Sequence, residues 1–189
     1  VTRSPNELTA RVVGGELVHH SSGIRLLLSS TKPKEAQIAI SPDVAAAIVW
    51  QLRGLAQGVV LDLGVGLTAV NQRLLRDVDH LILVTDPQRV TLTMARELLN
   101  ELGDTGLGQG VVSIVLVNRT HSSLQVSWQE AEQILGRDML AIISPAPELA
   151  FQANEAGVPI VHLQPGAIVA SQLLKLADEV GVRVHSNSQ

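Results

Sequence analysis

His80-Leu81-Ile82-Leu83-Val84-Thr85-Asp86-Pro87 is an apolar run with a polar stop. Val111-Val112-Ser113-Ile114-Val115-Leu116-Val117-Asn118-Arg119 repeats that form. Each run is short, rich in β-branched residues and closed by turn formers, which predicts a strand. Residues 90–102 between them read as a helix. An apolar strand, a helix and a second apolar strand form the unit of a parallel sheet covered on both faces.

The same alternation extends in both directions. Downstream, Ser127-Trp128-Gln129-Glu130 has the spacing of a capping box and opens a helix to about Leu135. Met139 to Ile143 reads as a strand and Pro147 to Ala156 as a helix, with Gly157 as its stop. Pro159 to Leu163 reads as a short strand. Ala167 to Val180 reads as a helix closed by Gly181, and Val182 to His185 as an edge strand. Upstream, Ser41-Pro42-Asp43 marks a helix start, with Ser as cap, Pro at the first helical position and Asp at the positive dipole end. Ile24 to Leu28 and Val59 to Leu63 read as strands, the second with its apolar residues in the core. Residues 68–78 read as helix. The expected fold is α/β, a doubly wound and mostly parallel sheet with helices on both faces. It is expected to form one domain over residues 1–189, with 1–21 as a lead-in and 22–185 as the core.

Composition narrows the chemistry. The chain has 189 residues, 46% hydrophobic and 17% charged, with a net charge of −4. That excludes disorder as the main state. There is no Cys, which excludes disulfides, thiolate metal sites and a Cys nucleophile. Trp50, Trp128 and Phe151 are the only aromatics. The core must therefore be aliphatic, and a base-stacking platform for nucleic acid is not expected. No strongly basic footprint is present. No apolar run is long enough for a membrane span, and the chain opens without a signal-peptide pattern, so it is expected to be cytoplasmic.

In sheets of this kind, ligands bind outside the carboxyl ends of the strands. The informative residues are those just after each strand: 62–66, 85–87, 118–120 and 144–148. Asp62 ends Val59-Val60-Leu61-Asp62-Leu63-Gly64-Val65-Gly66, which has the form of a Walker B strand. An Asp there can hold magnesium directly or through water. It can equally cap the following helix. Asn118 offers both a donor and an acceptor to a base edge, or simply makes a turn. His19, His20, His80, His121, His162 and His185 have no ligand spacing, so no zinc site is expected. Ser21-Ser22 and Ser122-Ser123 lack a nucleophile-elbow setting. No Gly-x-x-x-x-Gly-Lys-Ser/Thr and no Lys-Gly-Gly-x-Gly-Lys is present.

In order and spacing, five stretches resemble the MinD/ParA family of deviant Walker A ATPases, nearest its CpaE-like, pilus-assembly branch. They are residues 22–28, 59–66, 74–87, 115–119, and 143–148 together with 153–161. The resemblance implies the P-loop NTPase-like sheet without its first strand and P-loop. It implies ATP held between two subunits as a dimerisation switch that positions or assembles a cellular machine. Asp62 would be the catalytic residue beside Mg2+, and Gly66 would sense the γ-phosphate. Asn118 and Arg119 would lie near the adenine, with the loop at Pro147 closing over it. ATP and Mg2+ are the implied cofactors, and a homodimer or another protein the implied partner. The chain departs from the family in having Val65 where Pro often precedes the switch glycine, and in lacking an Asp in loop 144–148. These departures leave a second expectation, a non-catalytic interaction module of the same fold. The C-terminal Asp178-Glu179-Val180-Gly181-Val182-Arg183 is not a basic membrane helix, so no direct membrane anchor is expected.

Overall fold

The computed structural model describes residues 4–36, 39–106, 109–119 and 125–187. The chain divides into two compact units, Val1–Val78 and Asp79–Gln189.

The first unit is built around one long helix. It contains α1 (Ala10–Gly15), the two-residue strands β1 (Val18–His19) and β2 (Arg25–Leu26), α2 (Pro33–Ala36), α3 (Pro42–Leu55) and α4 (Ala69–Leu74). The Ser41 hydroxyl accepts from the Val44 N–H, and Pro42 fills the first turn, so α3 starts where the sequence says. Val13, Ala45, Leu74 and Leu75 are the buried apolar residues among those described in this unit. Gly14 of α1 lies so close to α3 that a β-carbon there would sit 3.5 Å from the Leu55 side chain. The Arg53 guanidinium donates to the Asp77 carbonyl at 3.0 Å, and Arg25 donates to the Leu55 carbonyl at the same, C-terminal end of α3.

The second unit is the α/β sandwich. It runs β3 (Leu81–Thr85), α5 (Arg89–Asp104), β4 (Val112–Val117), α6 (Trp128–Leu135), β5 (Ala141–Ile143), α7 (Pro147–Ala156), α8 (Ile160–Leu163) and α9 (Ile168–Asn187). The sheet order is β3-β4-β5, all parallel, with Leu83 opposite Ile114 and Leu116 opposite Ile142. Side chains of β4 alternate between two cores, as strand geometry requires. Ile114 and Leu116 pack with Leu92, Ala95 and Leu99 of α5 and Ala131 and Leu135 of α6. Val115 packs on the opposite face with Ile143 and with Val169 of α9, joined by Leu149, Ile160 and Leu173. Helices thus cover both faces, and the fold is doubly wound α/β. Each fully buried Leu or Ile contributes about 1.5–3 kcal/mol of transfer free energy. Trp50, Trp128 and Phe151 are all exposed, so the core is aliphatic as composition requires.

Four expected strands come out differently. Ile24 to Leu28 contributes only β2, which pairs antiparallel with β1 across a turn at Gly23 and does not join the parallel sheet. Val59 to Leu63 belongs to no ladder among the described residues. Val60 is 100% exposed and none of the five is buried, so they are not core. β-branched residues favour a strand only where a neighbouring strand supplies the hydrogen bonds. Pro159 to Leu163 is α8, because the Leu163 and Gln164 N–H groups bond back to the Pro159 and Ile160 carbonyls at 3.0 Å. Val182 to His185 continues α9. Leu173, Leu176, Val180 and Val184 keep a half-buried stripe at helical spacing past Gly181, and a helix tolerates one Gly at about 1 kcal/mol.

His80 precedes β3, and its Nε2 lies 3.0 Å from the Ser113 hydroxyl on β4. Burial first, and the Arg183 charge second, hold its pKa below the ordinary histidine value. The unfolded chain therefore binds a proton more readily than the folded one. Stability is full above about pH 6.5 and is lost as pH falls from there through the folded-state pKa. We expect the melting temperature to fall between pH 7 and pH 5.5. That fall should be smaller in His80→Gln, measured by circular dichroism in one buffer series. An equal slope in both proteins would remove His80 as its source.

Candidate functional site

Asp62 and Gly66 lie in a turn leading into α4. The exposed Asp62 carboxylate accepts the Gly64 N–H at 3.0 Å through one oxygen. Its second oxygen is a further acceptor of the kind a hydrated Mg2+ takes. Gly64 and Gly66 adopt φ +65° and +82°, the left-handed region that side chains rarely enter. No atom lies within 4 Å of where a β-carbon would sit at either glycine, so their backbone is open to an approaching group.

A residue that the sequence did not flag holds this turn. Asn71, buried in the first turn of α4, donates its side-chain amide to the Leu63 carbonyl at 3.0 Å and to the Gly66 carbonyl at 2.8 Å. Its own N–H is capped by the Thr68 hydroxyl at 3.1 Å. The only sequence signal is a polar residue on the inward side of a short helix. Asn71→Leu should cost about 1–2 kcal/mol through the two orphaned carbonyls. It should also speed amide exchange at residues 63–66, read by hydrogen–deuterium mass spectrometry. Unchanged exchange there would show that the turn holds itself.

The second unit gathers the remaining candidates at the carboxyl edge of its sheet. The Asn118 N–H donates to the Ile143 carbonyl at 2.9 Å, which brings the ends of β4 and β5 together. The Asn118 side-chain oxygen accepts from Gln125 at 2.7 Å. Arg119 is exposed beside it, and Pro147 is exposed at the first position of α7. The loop after β5 is tied to α9. Gln172 accepts from the Ser144 N–H at 2.9 Å and donates to the Ser144 hydroxyl at 3.0 Å. The Val126 N–H bonds to the Pro87 carbonyl at 3.2 Å, so the end of β3 joins the same edge. Asn118, Arg119 and Pro147 are thus brought to one edge of the second unit, while Asp62 and Gly66 belong to the first. Thr120, His121, Ser122 and Ser123 lie outside the described residues. Among the described residues, no three His, Asp or Glu side chains gather where they could hold a metal ion.

No family profile and no curated protein matches the chain by sequence. Solved structures do match by shape. A ParA family ATPase from Chlorobium tepidum TLS superposes with a TM-score of 0.81 over 92% of this chain and 71% of its own, at 18% identity. This chain has the fold of the ParA and MinD ATPases. The septum site-determining protein MinD of Pyrococcus horikoshii OT3, complexed with Mg-ADP, matches with a TM-score of 0.74 at 21% identity, over 93% of this chain and 76% of its own. The MinC:MinD cell division complex of Aquifex aeolicus matches with 0.72 at 17% identity, over 89% and 67%. In the ParA/MinD fold of this chain, no helix among the described residues is long and apolar enough to cross a membrane.

Proposed function

We propose that this chain is a portion of a ParA/MinD-like ATPase, working as an ATP-dependent dimerisation switch in positioning or assembling a cellular machine. The superposition over 92% of the chain carries this reading. The turn at Asp62 and Gly66 and the residues that follow β4 would supply its chemistry. A single carboxylate with phosphate oxygens and waters is a usual Mg2+ arrangement, and the open turn at Asp62 and Gly66 suits it. Bound magnesium would neutralise phosphate charge and order the attacking water. Asp62 would hold the ion's water shell, and the Gly66 backbone would follow the γ-phosphate, so that its presence sets the turn's position. Asn118, oriented by Gln125, would read the base edge, with Arg119 and Pro147 around it. By the resemblance of its five sequence stretches, we read it as nearest the CpaE-like branch.

A second reading, a non-catalytic interaction module of the same fold, draws on Lys32, Lys34 and Lys175 being the only lysines. None sits in a glycine-rich phosphate loop. Calorimetric titration of the 189-residue chain with Mg2+ and a slowly hydrolysed ATP analogue separates the two. One saturable site supports the switch. No heat at millimolar nucleotide supports the interaction module.

A further inference from the structure

The loop after β5 is held from outside itself. β5 ends at Ile143, and α7 starts at Pro147 with no side-chain cap from Ala146. The peptide unit joining Ile143 to Ser144 is bound at both of its polar atoms. Its carbonyl accepts the Asn118 N–H at 2.9 Å. Its N–H donates to the Gln172 side chain at 2.9 Å, and the Gln172 amide donates back to the Ser144 hydroxyl at 3.0 Å. A peptide unit is planar, so holding both atoms fixes its orientation. Ser144-Pro145-Ala146-Pro147 contains two prolines of locked φ, which carry the setting of Ser144 along to Pro147. Gln172 itself stands where packing calls for an apolar residue. It is half-buried, three positions after buried Val169 and next to Leu173, on the face of α9 that covers Val115 and Ile143. A polar group there loses water and needs partners, and Gln172 finds two of them in one residue 28 positions away.

We propose that Gln172 is a positioning residue for the nucleotide base, a role that rests on the nucleotide reading above. Asn118 binds one side of the Ile143–Ser144 peptide and Gln172 the other. α9 thereby sets where Pro147 stands relative to Asn118, the two residues between which the base would lie. Gln172 touches no part of the nucleotide. It acts by keeping the loop in register with an Asn118 side chain that Gln125 already orients. Without it the loop drifts, and discrimination among bases is lost, because a polar edge is read only by groups held in place. Mg2+ and the triphosphate are bound elsewhere in this reading, so their share of the affinity stays.

Calorimetric titration of the full chain with Mg2+ and slowly hydrolysed analogues of ATP and of CTP tests this. The readout is the ratio of the two dissociation constants. A variant that is merely less folded loses both affinities alike and keeps the ratio. The wild-type chain is expected to prefer the adenine analogue by about tenfold or more, and Gln172→Leu to bring the ratio within about threefold. Gln172→Glu restores the preference: its carboxylate still accepts the Ser144 N–H, and the Ser144 hydroxyl turns to donate to the second oxygen. Circular dichroism melts confirm folding. Should Gln172→Leu not fold, Ser144→Ala keeps the N–H bond, loses the hydroxyl bond and is expected to lower the same ratio by a smaller factor. A wild-type chain that binds neither analogue overturns the nucleotide reading and this proposal with it. A wild-type chain that binds both alike overturns this proposal and leaves the Mg2+-triphosphate reading standing. An unchanged ratio in Gln172→Leu, or in Ser144→Ala where that variant is used, does the same. So does a Gln172→Glu that behaves like Gln172→Leu.

Discussion

Leu92→Ala is expected to lower the unfolding free energy by about 3–4 kcal/mol, a large share of what a domain has. Leu92 is 0% exposed on α5, in a buried cluster drawn from β4, α5 and α6, with Leu83 of β3 packed against it. Removing its branched end loses transfer free energy and leaves a cavity that two helices and a strand cannot close together. Ile114, 1% exposed on the facing strand, bounds the same space, so Ile114→Ala belongs to the same class and should not add independently. The control is Val60→Ala. Val60 touches solvent over its whole side chain and should change stability by less than about 0.5 kcal/mol. Urea unfolding followed by circular dichroism measures all three. A Leu92→Ala cost near that of Val60→Ala would mean that the sandwich of α5, β4 and α6 does not hold the second unit together.

Asp62→Ala is expected to weaken binding of the Mg2+-dependent ATP analogue at least tenfold and to move the melting temperature by no more than about 1 °C. The asymmetry follows from position. The carboxylate is exposed, and its one recorded bond is to Gly64 in its own turn, so the fold loses about 0.5–1 kcal/mol at most. A metal-bound nucleotide loses an anionic partner for the ion's water shell, a loss worth several times as much. Repeating the titration with magnesium omitted gives a second readout, since the two losses overlap if Asp62 acts through the ion. Unchanged affinity in Asp62→Ala would remove it from the site and leave the carboxylate as a turn former.

Much of the second unit was legible because its signals are local. Ser127 caps α6 through the Glu130 N–H at 3.3 Å, and Gly157 ends α7 at φ +62°. The apolar runs that became β3 and β4 find each other as neighbours. Half of the expected capping box is absent, because the Glu130 carboxylate pairs with Arg89 of α5. What could not be read depends on partners far along the chain. Val59 to Leu63 has strand composition and no strand beside it. Pro159 to Leu163 is too short for its pattern to separate helix from strand, and packing on α7 and α9 decides. Asn118 and Arg119 were legible as the residues that follow β4, whereas Asp62, read as a strand end, lies in a turn that belongs to no ladder among the described residues. Asn71, Gln125 and Gln172, which orient the loops around them, were not legible, because their bonds reach five to 28 residues away.

The aliphatic core has an optical consequence. With no Tyr, light near 280 nm is absorbed almost wholly by Trp50 on α3 and Trp128 on α6, one in each unit. Both indoles face water in the native state. Their emission should already resemble that of a denatured chain and be open to iodide quenching. Unfolding then changes the colour little, whereas anything that settles over one indole shifts and shields that emitter alone. Trp50→Phe and Trp128→Phe would turn the chain into two single-reporter proteins, each watching its own unit.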